Sequence, residues 1–148
     1  MWRLARYLKP YLLPLVAMLA FLVGQVLANL QLPDYMAKIV NDGIVGNDTS
    51  IVVSTGVRML AVALVGGLFT ICASFLASRI ATGSTRDLRN DTFEAVESFS
   101  PLEFSRFSTA SLITRCTNDM QQIQMALFMV LRLAVMAPLM GIGAVIKA

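Results

Sequence analysis

No charged residue falls between Lys9 and Asp34, and none falls between Arg58 and Arg79. A helix needs about 20 apolar residues to cross the hydrocarbon core of a bilayer, and both runs reach that length. In lipid every backbone N–H and C=O must be satisfied inside the segment, so runs of this kind fold as helices. Composition agrees. The chain is 57% hydrophobic and 14% charged, against about a quarter charged in ordinary soluble domains. The expectation is an all-α, polytopic membrane chain.

The first run carries Pro10 and Pro14 near its start, where a helix tolerates proline best. A secretory signal is the competing reading. Arg3, Arg6 and Lys9 would form its basic region and Val26-Leu27-Ala28 a loose cleavage site. The length of the run and the membrane segments that follow favour a membrane helix. The second run, Met59 to Ser78, holds Ala73 and Ala77 in a small-xxx-small pair. Such a pair lets another helix approach closely, or is simply a run of small residues facing lipid. A third apolar run starts after Arg132 and reaches Lys147, with Pro138, Gly141 and Gly143 inside it. It is short for a full span and reads as a truncated third membrane helix.

Basic residues set the expected orientation. Arg3, Arg6 and Lys9 precede the first run, and Arg79, Arg86, Arg89, Arg106 and Arg115 follow the second. The connection between the runs has only Lys38 and Arg58 as cations. The positive-inside rule then places the N-terminus and residues 79–132 in the cytoplasm and residues 34–58 outside. Trp2 and Tyr7 suit an interfacial segment along the membrane. The net charge of +3 is mild, and the basic residues form no patch interleaved with aromatics, so nucleic acid is not an expected partner. The chain has no histidine, and Cys72 and Cys116 form no metal or disulfide pattern.

The segment from Arg79 to Arg132 is polar but patterned. Leu88, Val96 and Phe99 recur at helical spacing with Thr92 in the intervening turn, among charged residues. Ser100, Pro101 and Glu103 fit an N-cap, a first-turn proline and a capping-box acid. A short helix carrying Leu102, Phe104 and Phe107 is expected to follow. Ser108 to Ser111 can cap the next helix, whose seam would be Ile113, Cys116, Met120, Ile123, Leu127 and Val130. The arms on either side, 79–101 and 109–132, would each be about 33–35 Å long at 1.5 Å per residue. Large apolar side chains at the far tip suggest a docking surface.

Two stretches carry a family resemblance. Leu32-Pro33-Asp34-Tyr35-Met36-Ala37-Lys38-Ile39-Val40-Asn41-Asp42-Gly43-Ile44 is similar to the end of the first membrane helix and the external loop of ATP-binding cassette (ABC) exporters of the bacterial multidrug type. Phe104-Ser105-Arg106-Phe107-Ser108-Thr109-Ala110-Ser111-Leu112-Ile113-Thr114-Arg115-Cys116-Thr117-Asn118-Asp119 resembles their first intracellular loop. Ala110 and Ser111 stand where that family often has glycine and an acid. The resemblance implies the N-terminal part of a type IV transmembrane domain. An elbow segment would occupy 1–9, membrane helix 1 residues 10–33, and an external loop 34–58. Helix 2 with its cytoplasmic extension would occupy 59–99, a coupling helix 100–107, and an incomplete helix 3 residues 109–148.

By the same resemblance, Ser100, Pro101, Leu102, Glu103, Phe104, Arg106 and Phe107 would dock a nucleotide-binding domain. That domain, with its ATP and Mg, is expected beyond this chain. A second half-transporter, identical or different, would complete the assembly in a bacterial inner membrane. No G-x-x-x-x-G-K-[ST] motif is present, so this chain is not expected to hydrolyse ATP by that route. Gln25 and Asn29 share a helix face in the first run and are candidates for the substrate path, or for an interhelical hydrogen bond. A small membrane scaffold that binds a soluble partner through the 100–107 tip is the alternative class. Asp87, Asp91, Glu94 and Glu97 beside Arg86 and Arg89 read as a solvated face with ion pairs and not as a catalytic group.

Overall fold

The structure, a computed structural model, describes Tyr7, residues 9–99 and residues 113–147. The expected coupling segment, Ser100 through Phe107, lies outside the described residues, as does most of the 1–9 segment. Three α-helices carry the described fold. A short 3-10 turn at Lys9–Tyr11 leads into α1 (Leu12–Lys38), followed by α2 (Thr49–Glu97) and α3 (Met120–Lys147). All three helical stretches are long and apolar enough to cross a membrane, including the third, Arg115–Ile146, whose apolar run after Arg132 was expected to fall short of a full span.

The helices run past the limits of their uncharged runs. Beyond Pro33, α1 continues to Lys38 and loosens into wider π-type turns over Ile39–Val45. Thr49 already begins α2, so most of the stretch read as an external loop, 34–58, is helical. Charge limits a membrane span but not a helix, because the backbone ladder continues wherever side chains permit it. Only the residues around Gly46 to Asp48 make the reversal. The N–H of Asp48 donates to the Gly43 carbonyl at 2.9 Å and that of Asn47 to the Ile44 carbonyl at 3.2 Å. Asn47 takes a left-handed backbone (φ 54°), a conformation that asparagine tolerates better than most residues. The Asp48 carboxylate then caps α2 by accepting from the N–H groups of Ser50 (2.9 Å) and Ile51 (3.3 Å).

The helices α1 and α2 form an antiparallel hairpin in tight register. Gly24 lies against Phe69, Ala28 against Gly66 and, past the end of α1, Gly43 against Val52, so a larger residue on one side meets a smaller one on the other. Ala73 and Ala77, 3% and 2% exposed, are buried against Met18 and Leu22. The small-xxx-small pair therefore faces protein and not lipid. Phe21 and Phe69 meet with ring centroids 5.9 Å apart. Ile80 completes the core, and Phe128, Leu131 and Val135 of α3 close over it. Leu30 of α1 packs against Gly143 of α3. With no aqueous hydrophobic drive between helices in lipid, such close packing is what holds them together.

The expected seam of the third helical stretch holds through its middle and misses at both ends. Met120 is buried and Cys116, Ile123 and Leu127 are half-buried, but Ile113 and Val130 are each 59% exposed. Phe128, Leu131 and Val135 take the contacts instead. Wider π-type turns at Arg115–Asp119 separate Ile113 from the phase of the residues that follow, and beyond Leu127 the core-facing step is four residues, to Leu131, and not three, to Val130.

Replacing Ala77 with Leu should overpack the α1–α2 seam and cost about 1–3 kcal/mol. The exposed Leu64→Ala should cost far less. Thermal unfolding of the complete detergent-purified subunit carrying each change tests the order, and equal losses would contradict it.

Candidate functional site

Two polar features are built on this hairpin. The first is inside the membrane span. Gln25 is 6% exposed and Asn29 is half-buried, one turn further along α1. The Asn29 Oδ1 lies 4.0 Å from the point where a Gly66 Cβ would stand, so Asn29 borders the close α1–α2 crossing. Among the described residues neither side chain makes a hydrogen bond. An amide at membrane depth without a protein partner is costly, so a partner is required from another helix, water or a ligand. The two residues are thus on one face, as their spacing predicts.

The second feature was not legible as a site. Tyr11 packs against Gly83, and a Cβ at that position would collide with its phenol. From there its hydroxyl donates to Asp87 Oδ2 at 3.2 Å. One turn on, the Tyr7 hydroxyl donates to Asp91 Oδ2 at 2.5 Å, and the Ser84 hydroxyl donates to the Tyr7 carbonyl. Two tyrosines four apart thus meet two aspartates four apart on an antiparallel helix. The matched spacing is present in the sequence, but no local rule pairs positions so distant. Asp87 also takes Arg86 at 3.5 Å, an exposed ion pair of little energetic weight. Asp91, Glu94 and Glu97 are exposed and Arg86 pairs with Asp87, as a solvated face with ion pairs predicts, but Asp87 and Asp91 also accept from Tyr11 and Tyr7.

Beyond Arg79, α2 continues without a break to Glu97, a stalk of about 27 Å at 1.5 Å per residue. Leu88, Thr92 and Val96 are half-buried, as is Phe99 just past its end, and the Thr92 hydroxyl donates back to the Leu88 carbonyl at 2.8 Å. The helix terminates at Ser98, where the Ser98 N–H donates to the Glu94 carbonyl at 3.1 Å and the Phe99 N–H to the Val96 carbonyl at 3.2 Å. Near the stalk's base, Gln124 of α3 donates to the Thr82 hydroxyl at 3.0 Å and ties the return arm to α2.

Gly66 and Gly67 sit inside α2, and Gly66 packs on Ala28 with no loop to cradle a phosphate. Among the described residues no cluster of His, Cys, Asp or Glu is placed to hold a metal ion.

A tightly packed hairpin of apolar helices, a third helix beside it and a long polar stalk define a multi-pass helical membrane protein. Residues 15–148 match the ABC transporter transmembrane region, and the chain belongs to that family. It is 41% identical over 146 residues to an uncharacterized ABC transporter ATP-binding protein of Mycobacterium tuberculosis, covering 98% of this chain and 25% of the relative. An uncharacterized ABC transporter ATP-binding protein of Bacillus subtilis is 34% identical over 95% of this chain and 24% of its own length. A multidrug efflux ATP-binding/permease protein of Mycobacterium bovis is 31% identical over 86% of this chain and 11% of its own. The chain thus spans about a quarter of the length of the first two relatives.

Removing the Tyr11 hydroxyl in Tyr11→Phe should lower the stability of the complete subunit by about 1 kcal/mol. Gly83→Val should cost more, because it also displaces the ring. Thr85 is buried with its hydroxyl unpartnered. Thr85→Val should be neutral or slightly stabilising, since an unsatisfied hydroxyl is removed at nearly constant shape. Thermal unfolding in detergent separates the three, and a loss in Thr85→Val as large as in Gly83→Val would contradict this account.

Proposed function

We propose that this chain is the N-terminal part of the membrane domain of an ATP-driven exporter, passing the work of a cytoplasmic nucleotide-binding domain to the substrate path. The observation that carries this reading is the unbroken course of α2 from the external turn to Glu97. A single helix that crosses the membrane and continues as a stalk transmits displacement along its axis, because its backbone ladder resists compression. The stalk leads directly to Ser100, Pro101, Leu102, Glu103, Phe104, Arg106 and Phe107. In this reading those residues form the coupling helix, and Phe104 and Phe107 insert into the motor domain. The relatives' designation as ATP-binding proteins supports a motor with ATP and Mg elsewhere in the assembly. The efflux name of the Mycobacterium bovis relative supports export as the direction.

Gln25 and Asn29 then border the substrate path. Their amides lie within the membrane span without hydrogen-bond partners among the described residues, so they are available to a polar group of the cargo or to the opposing half-transporter. The basic residues after Arg79 support a cytoplasmic stalk and a cytoplasmic N-terminus in a bacterial plasma membrane.

In the complete subunit, Phe104→Ala with Phe107→Ala should weaken assembly with the nucleotide-binding domain or uncouple ATP turnover from transport. Unchanged assembly together with unchanged coupled transport would count against docking. Orientation is tested separately by single cysteines in a background without Cys72 and Cys116. Position 50 should react with an impermeant thiol reagent from outside and position 108 only from inside. The reverse labelling would overturn the orientation.

A further inference from the structure

One face of α2 changes character abruptly along its length. Leu60, Leu64, Leu68, Ile71 and Phe75 recur every three or four residues, and each is more than 60% exposed. They form one apolar stripe on a single helix face. The same progression then reaches Arg79, Thr82 and Arg86. These residues, with Tyr11, Gly83 and Phe75, line a cavity of about 510 Å³. Arg79 closes the uncharged run, so the cavity sits where hydrocarbon gives way to headgroups.

The chemistry of the cavity is that of a phosphate site with an apolar entrance. Arg79 makes no ion pair or hydrogen bond among the described residues. Arg86 lies two turns further on and shares its charge with Asp87 at 3.5 Å. Asp87 is in turn engaged by the Tyr11 hydroxyl, which leaves the lining cationic on balance. The Thr82 oxygen already accepts from Gln124, so its own proton can be donated into the cavity. Guanidinium groups bind phosphate oxygens in a planar, two-pronged geometry.

We propose that this cavity binds the phosphate of an anionic phospholipid, with an acyl chain laid along the stripe from Phe75 to Leu60. The match lies in the order of surfaces. An acyl chain followed by a phosphate needs a long apolar track ending in cations, and α2 presents that order on one face. A free phosphate would use the arginines but not the track. The placement needs the membrane span alone and is independent of the direction of transport.

The test uses the complete subunit in nanodiscs of phosphatidylcholine containing a phosphatidylglycerol with a photoactivatable group near its headgroup. Crosslinking should map to the peptide containing residues 75–86. Unlabelled phosphatidylglycerol should compete, and phosphatidylcholine or inorganic phosphate should not. Arg79→Gln and Arg86→Gln should each cut labelling about fivefold, the factor expected for one cation near an anionic surface. Arg79→Lys, which keeps the charge, should retain most of it. The proposal is overturned by absence of label from this peptide, as when another helix of the subunit covers the face. Equal competition by phosphatidylcholine, competition by inorganic phosphate, or undiminished labelling in both glutamine variants would also overturn it. Wild-type mapping and lipid competition decide the matter even where a variant fails to fold.

Discussion

The close approach of α1 and α2 is the constraint on which the rest of the structure depends. It is made possible by what is missing from side chains: Gly24 under Phe69, Gly66 under Ala28, and Ala73 and Ala77 under Met18 and Leu22. In a bilayer, lipid tails solvate leucine as well as a neighbouring helix does, so association relies on packing density and polar contacts. Small residues along the seam supply the first. The α1–α2 register that they set positions both polar features, because Asn29 borders the Gly66 crossing and Tyr11 rests on Gly83.

The N-terminal segment shows how a membrane helix can be tied to its neighbour outside the apolar core. Tyr7 and Tyr11 reach Asp91 and Asp87, and Ser84 holds the Tyr7 carbonyl. These contacts lie on the stalk portion of α2, beyond Arg79. A movement of the stalk would therefore be felt by the N-terminal segment as well as by α3, which is joined to it through Gln124 and Thr82. The stalk is thus braced at its base from two sides while its far part, with Glu94 and Glu97, is largely exposed.

Legibility in the sequence followed the range of the interaction. Membrane helices were readable because charge is excluded from a continuous stretch, a local property. The Gln25–Asn29 face was readable because helical spacing is local too. Their burial beside α2 was not, since it depends on residues some forty positions away. The seam through Ile113 and Val130 failed for a related reason. The wider turns at Arg115–Asp119 changed the phase before Met120, which loses Ile113, and contact with the core at Leu131 takes the place of Val130. The helix expected to begin at Met59 begins at Thr49, because charge limits the membrane span and not the helix, and Asp48 with its two backbone bonds marks the start.

By itself the sequence determined that the chain is helical, that it enters a membrane, and which family it resembles. Each follows from composition over short windows or from ordered stretches such as Leu32 to Ile44. Tertiary structure alone decided which face of each helix meets protein. Ala73 and Ala77 could have faced lipid, and Asp87 and Asp91 could have been ordinary solvated acids. Antiparallel packing in one register turned the first pair into a core and the second into a clasp for the N-terminal segment. The physical reason is that register is set by shape complementarity between distant helices, which no local pattern of hydrophobicity encodes.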